Sequence, residues 1–165
     1  LGAVLIAFAA AWLGLRAAAE LSGRVRRLDA LAEGLALLRQ ELWARGDPLP
    51  QAFSQLSQRT EEPARTLFAR CAQACGQLDQ EPFSQAWSRL VRQLEGVPAS
   101  GLAALLPLGE VLGRYDAEGQ REAVVRACSA LDQVRSRAEE ERLRMGRVYQ
   151  ALGLTGGGFL IILLL

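Results

Sequence analysis

Three cysteines and a scatter of acids are the side chains on which catalysis or metal binding would have to draw first, so the options are few. Cys71 and Cys75 stand four apart, one helical turn, beside Leu67, Phe68 and Leu78, and Cys128 lies far along the chain. His is absent, as are Lys and Asn. Their loss removes the commonest general base, the commonest metal ligand and the amine that forms Schiff bases. Carboxylates would have to complete a tetrahedral zinc site, and the odd cysteine count contains no CxxC pair. The cysteines therefore read as buried, reduced thiols that behave as small apolar residues, in keeping with a reducing cytoplasm. Glu110, Asp116, Glu118 and Glu122 gather near Tyr115, but carboxylates at a helix start are ordinary capping chemistry. No nucleophile, base and orienting group come together, so the expectation is a non-enzyme with no metal and no cofactor.

Every cation is Arg, and 19 of them against 18 acids leave a net charge of +1, which predicts no global attraction to nucleic acid. Arg59, Arg65, Arg70, Arg89 and Arg92 fall in the middle of the chain, where planar, multi-donor guanidinium groups suit the carboxylates of a protein partner. A solvated helix face is the competing role for any one of them. The run Glu139-Glu140-Glu141-Arg142 with Arg144 reads as such a face, with i,i+4 partners.

These groups must be carried by helices, because no segment reads as a strand. Leu21, Val25, Leu28, Leu31, Leu35, Leu38 and Leu42 alternate in steps of three and four, which predicts one long helix. Gly46, Asp47 and Pro48 end it, read as C-cap glycine, N-cap aspartate and first-turn proline. Leu49, Phe53 and Leu56 give the next helix its buried edge. Thr60, ahead of Glu61, Glu62 and Pro63, reads as the start signal for a helix with Leu67, Phe68, Cys71 and Cys75 inside. Gly76 and residues 79–82 break that helix, and Phe83, Ala86, Trp87, Leu90, Val91 and Leu94 line another. After the loop 96–101 an apolar helix from Leu102 to Leu112 carries a first turn or kink at Pro107. A second long seam follows, through Val124, Ala127, Leu131, Val134, Ala138, Met145, Val148 and Leu152, interrupted by Glu141. Pairing the two long seams antiparallel buries both stripes and leaves four shorter helices as a small bundle at the far end.

The chain ends are strongly apolar. No charge occurs over residues 1–15 or 148–165, lengths that approach the roughly 20 residues a membrane span needs if Arg16 and Arg147 snorkel. The expected organisation is a transmembrane helix at 1–19, a cytoplasmic helical domain at 20–147 and a second transmembrane helix at 148–165. Arg16, Arg24, Arg26 and Arg27 follow the first run, and Arg135, Arg137, Arg142, Arg144 and Arg147 precede the second, which places the soluble part on the cytoplasmic side of the cell membrane. A cleaved signal peptide with processing near Ala17, Ala18 and Ala19 is the alternative, though it lacks a basic leading region. Residues upstream of Leu1 are expected. The small residues Ala3, Ala7, Ala11 and Gly14, and the GxxxG pair Gly153 and Gly157, have the spacing that lets membrane helices pack closely, on each other or on partner helices. Gly and Ala are also simply common in membrane helices.

Four segments carry a family resemblance: LGAVLIAFAAAWLG, GDPLPQAF, LGRYDAEGQ and RMGRVYQALGLTGGGFLIILLL. In this order, across essentially the whole chain, they resemble stage III sporulation protein AB of endospore-forming bacteria, and the helical middle is similar to the cytoplasmic domains of type II secretion platform protein F. The resemblance implies an all-α, membrane-anchored hairpin. It also implies a non-catalytic platform in the mother-cell complex that builds a channel to the forespore, beside a cytoplasmic secretion-type ATPase, stage III sporulation protein AA, and other channel components. Homo-oligomers are compatible with this. No catalytic residue carries over. A membrane-linked sensor of a small ligand, or a helical scaffold unrelated to sporulation, are the alternatives, and a cavity with convergent polar groups would favour the sensor.

Overall fold

The computed structural model describes the chain except Leu1, Arg45, Asp47, Tyr115 and Leu165, with residues 2–7, 154 and 157–164 described as backbone only. Among the described residues every element is a helix: α1 (Gly2–Ala44), α2 (Leu49–Arg59), α3 (Ala64–Cys75), α4 (Phe83–Arg92), α5 (Ala99–Leu105), α6 (Leu108–Leu112) and α7 (Ala117–Leu164). The chain divides into two compact units, Arg26–Arg135 on the one hand and Leu1–Val25 with Ser136–Leu165 on the other.

In the unit Arg26–Arg135, Leu28, Leu31, Leu35 and Leu38 of α1 and Val124, Ala127 and Leu131 of α7 are all buried, as their spacing predicts. The two helices run antiparallel there, since Arg135 bridges to Asp29 at 3.3 Å while the Nη2 of Arg121 donates to the Leu42 carbonyl at 3.3 Å. Arg121 also lies over the Trp43 ring, 5.8 Å from its centroid, so one side chain closes the end of α1 by a hydrogen bond and a cation–π contact.

The short helices share one aromatic core. Phe53 of α2 stacks against Phe68 of α3 at 5.9 Å and Phe83 of α4 at 5.8 Å between centroids, and Trp87 completes the group. Five short helices occur where the sequence suggested four, because Pro107 cannot donate to the helix ladder and divides the segment into α5 and α6. The break leaves the Leu105 carbonyl without its helical partner, as the Gly109 amide bonds to Leu106 instead. Trp87 Nε1 donates to that orphaned carbonyl at 2.9 Å, which is how a buried indole comes to be satisfied. Gly109 is required beside it, since a Cβ there would stand 2.6 Å from Trp87 Cδ1.

Each short helix is preceded by proline at its N-cap, Pro48, Pro63, Pro82, Pro98 and Pro107, and none has a side-chain cap hydrogen bond. Pro48 is thus the cap itself and not a first-turn residue, and Asp47, expected as the cap, lies outside the described residues. Gly46 has φ of +61°, the left-handed geometry of a glycine closing a helix. Thr60 does not start α3. It closes α2, donating its buried Oγ1 to the Leu56 carbonyl at 2.8 Å, and α3 begins only after Pro63.

In the other unit α1 and α7 also run antiparallel, with Gly14 against Tyr149, whose Cε1 lies 3.3 Å from where a Cβ would be, and Ala18, Leu21 and Ser22 beside Leu143, Met145 and Gly146. Here the second seam departs from expectation, because Met145, Val148 and Leu152 are exposed. Among the described residues no helix is long and apolar enough to cross a membrane, so the spans expected at 1–19 and 148–165 are not found there. Tyr149, Gln150, Gly153, Thr155 and Gly156 dilute the second run, and the most apolar stretches, 1–7 and 157–165, have no described side chains.

Candidate partner-docking surface

The five candidate arginines sit on α2, α3 and α4, and most are engaged within the protein. Arg59, the last residue of α2, bonds Glu41 of α1 at 2.8 Å, and that carboxylate is only 7% exposed. Arg65 turns back to donate its Nε to the Thr60 carbonyl at 3.0 Å, satisfying the C-terminus of α2. Arg89 grips Glu81 through two of its three nitrogens, Nε at 3.4 Å and Nη2 at 2.7 Å, ahead of its own helix. That contact lowers the Glu81 carboxyl below its usual range and raises the Arg89 guanidinium, the hydrogen bond being the leading cause in each case.

Arg70 and Arg92 are the two of the five that the fold brings to one groove. They line one open groove of about 790 Å³ with Glu62, Glu95 and Gln93 around the apolar Leu67, Leu90 and Leu94. Arg70 is held lightly by Gln93, whose Oε1 accepts from Nη1 at 3.3 Å. Guanidinium groups standing apart from any carboxylate bridge, at the rim of a partly apolar groove, can take up partner carboxylates. The five residues therefore separate into two that face a groove and three that are engaged within the protein.

A second groove escaped the sequence reading. Leu42, Pro48, Leu49, Pro50, Cys75, Leu78, Pro82 and Phe83 form its apolar wall, with Ser84, Glu110, Arg114 and Gln120 at its margin, enclosing about 810 Å³. The cue was present in the prolines that bracket α2 and α4 and in Leu78, which follows the helix end at Gly76 and is exposed. Of the acids grouped near Tyr115, Glu110 lines this groove, whereas Asp116 accepts from the Glu118 amide at 3.1 Å in ordinary capping geometry and Glu122 pairs with Arg126 at 3.2 Å. Tyr115 lies outside the described residues.

Cys71 is buried, and its thiol is pushed well up, first by burial and then by neighbouring Cys75. Burial likewise raises Cys75 and Cys128. Raised thiols are poor nucleophiles. Among the described residues no His, Cys, Asp and Glu group has the arrangement to hold a metal. Of the residues expected to pack in the membrane, Gly14 meets Tyr149, Gly153 has open space around it, and Ala3, Ala7 and Gly157 lie outside the described side chains.

Fold and surface together define a protein that is all-helical among the described residues and carries two open grooves and exposed arginines. The whole sequence, residues 1–165, matches the model of the stage III sporulation protein AB family, and the chain belongs to that family. A solved structure described as stage III sporulation protein AB (SpoIIIAB) is similar over 74% of this chain and 98% of its own, at 22% identity and a TM-score of 0.64, and so shares its fold. No curated protein matches the sequence. Family membership gives the chain a role in sporulation.

Proposed function

We propose that this chain is a non-catalytic platform protein that attaches to the mother-cell membrane through its terminal runs and holds a cytoplasmic secretion-type ATPase, stage III sporulation protein AA, to the channel complex through the unit Arg26–Arg135. The observation that carries the reading is where the exposed large apolar side chains lie. Among the described residues, Phe8, Trp12, Leu13, Leu15, Leu143, Met145, Val148 and Leu152 belong to the unit that contains both termini, with Phe8 72% and Leu15 70% exposed, against Trp43, Leu78 and Val125 in the other, larger unit. Such a concentration is an interaction surface in water and an ordinary one in lipid. The soluble unit offers the groove with Arg70 and Arg92 for the ATPase, and the arms of α1 and α7 meet other channel components. The similarity of the helical middle to platform protein F domains fits this role.

The test is binding of the ATPase to the full chain in lipid nanodiscs. Arg70→Glu with Arg92→Glu should weaken binding by about tenfold or more, as expected when charge pairs at an interface become repulsive. Residues 47–115 replaced by an unrelated helical hairpin should abolish it. Retained binding in that chimaera would show that the arms of α1 and α7 carry the interaction.

A further inference from the structure

The charges nearest the apolar arms are all of one sign. Reading inward from the ends, the first charged residue of α1 is Arg16 and the first three of α7 are Arg147, Arg144 and Arg142, whereas the first acids are Glu20 and Glu141. The antiparallel contact of Gly14 with Tyr149 sets the register, so that Arg16 and Arg147, each two residues further in, stand at the same level. Between Trp12 and Ala19, and between Leu143 and Ala151, there is no acid at all.

Of the acids that follow, Glu20 and Glu139 are already engaged, while Glu140 and Glu141 make no ion pair with Arg144 or Arg147. Glu20 takes Arg24 at 2.9 Å and Glu139 takes Arg142 at 2.8 Å. Arg16, Arg144 and Arg147 are exposed and have no acidic partner among the described residues. Like charges at one level repel, and a solvated face ordinarily places opposite charges a helical turn apart. Of the three, Arg147 lines a groove of about 360 Å³ with Ala18, Leu21, Leu143 and Met145, and Arg142, held by Glu139, lines it too. An apolar floor with guanidinium groups at its edge matches an acyl chain below a phosphate, because the guanidinium fork pairs with phosphate oxygens and stays charged at every physiological pH.

We infer that Arg16, Arg144 and Arg147 form a collar that binds the headgroups of anionic phospholipids, so that the protein gathers acidic lipid around its own arms. The inference rests on the membrane attachment proposed above and goes beyond it, since attachment alone needs no particular lipid. Trp12 reports on it directly, lying one helical turn, about 6 Å, from Arg16 on the same helix.

The full chain is reconstituted into phosphatidylcholine vesicles that contain, at equal mole fraction, either brominated phosphatidylglycerol or brominated phosphatidylcholine, and tryptophan emission is recorded. Quenching that disappears in Trp12→Phe is the signal of Trp12, which separates it from Trp43 and Trp87. The collar predicts that the anionic quencher is favoured by about fivefold or more, the factor a single interfacial arginine can supply. It also predicts that the preference falls to near unity in Arg16→Gln/Arg144→Gln/Arg147→Gln and in high salt. The three substituted side chains hold nothing in the fold, so an unchanged thermal transition accompanies the loss. Equal quenching by the two lipids overturns the collar and leaves membrane attachment standing. A preference that survives in the triple variant also overturns it. No quenching of Trp12 by either lipid overturns the membrane attachment itself.

Discussion

Arg59 and Glu41 show how a charged residue on a helical surface becomes part of the fold. With the Glu41 carboxylate only 7% exposed, Arg59→Ala removes a charge-assisted bond from a buried acceptor and should cost about 1–2 kcal/mol, measured by thermal unfolding of the detergent-solubilised chain. Arg89→Ala, which breaks a solvated pair, should leave that transition where it is. The cysteines make a second test. Folding raises the Cys71 thiol above its ordinary value of 9.0, so the folded chain keeps a proton that the unfolded chain releases as pH rises past that value. Stability contributed by that thiol is fully present below about pH 9 and declines above it. Maleimide labelling near pH 8 should modify the half-buried Cys75 and Cys128 first and reach Cys71 only when the protein unfolds, as peptide mass mapping would show.

At the scale of elements, the long helices were legible because each repeats leucine or valine at a spacing only a helix uses. Leu35→Ala and Leu131→Ala, at sites 1% and 0% exposed, should each lower stability by about 2–5 kcal/mol. Val148→Ala, on the same seam of α7 but exposed, should change it by less than about 0.5 kcal/mol. Periodicity states which residues share a face, and not whether anything covers that face, which is why the far end of this seam was misread. Thr60 was misread for a related reason. Threonine serves both ends of a helix, accepting from amides at a start or donating to a carbonyl one turn back at a close, and only packing decides. Glycines divide in the same way. Gly34→Ala would set a Cβ 2.7 Å from Phe68 Cε2 and should cost about 1–3 kcal/mol, while Gly146→Ala meets nothing and should be neutral or stabilising by about 0.5–1 kcal/mol. The pairing of Arg70 with Arg92 was out of reach of the sequence, since it depends on how α3 approaches α4.

For the whole molecule, the arginine flanks lead to a statement about sidedness. Reporters inserted after Gly46 and after Gly101, both within Arg26–Arg135, should be accessible from the cytoplasm of intact cells. Labelling of those sites from outside would contradict the arrangement and favour the signal-peptide reading. The family and its all-helical class could be read from the ordered segments of the chain. The docking grooves could not, because they are made of residues far apart in sequence, such as Pro48 with Gly109 and Glu62 with Glu95.

The proline caps place part of this protein's stability outside its contacts. A serine or aspartate cap works through a hydrogen bond, which acid, salt or a competing solute can weaken. Pro48, Pro82 and Pro98 hold extended backbone at the threshold of their helices, with ψ of 139°, 142° and 152°, and make no such bond. Their effect is to narrow the unfolded ensemble, an entropic contribution whose weight grows with absolute temperature and owes nothing to the composition of the surrounding medium. The contribution of these three prolines is thus indifferent to pH and ionic strength. Replacing those three prolines together by alanine should lower the unfolding temperature by the same amount at pH 5 and pH 8, and in dilute and concentrated salt, as scanning calorimetry would record.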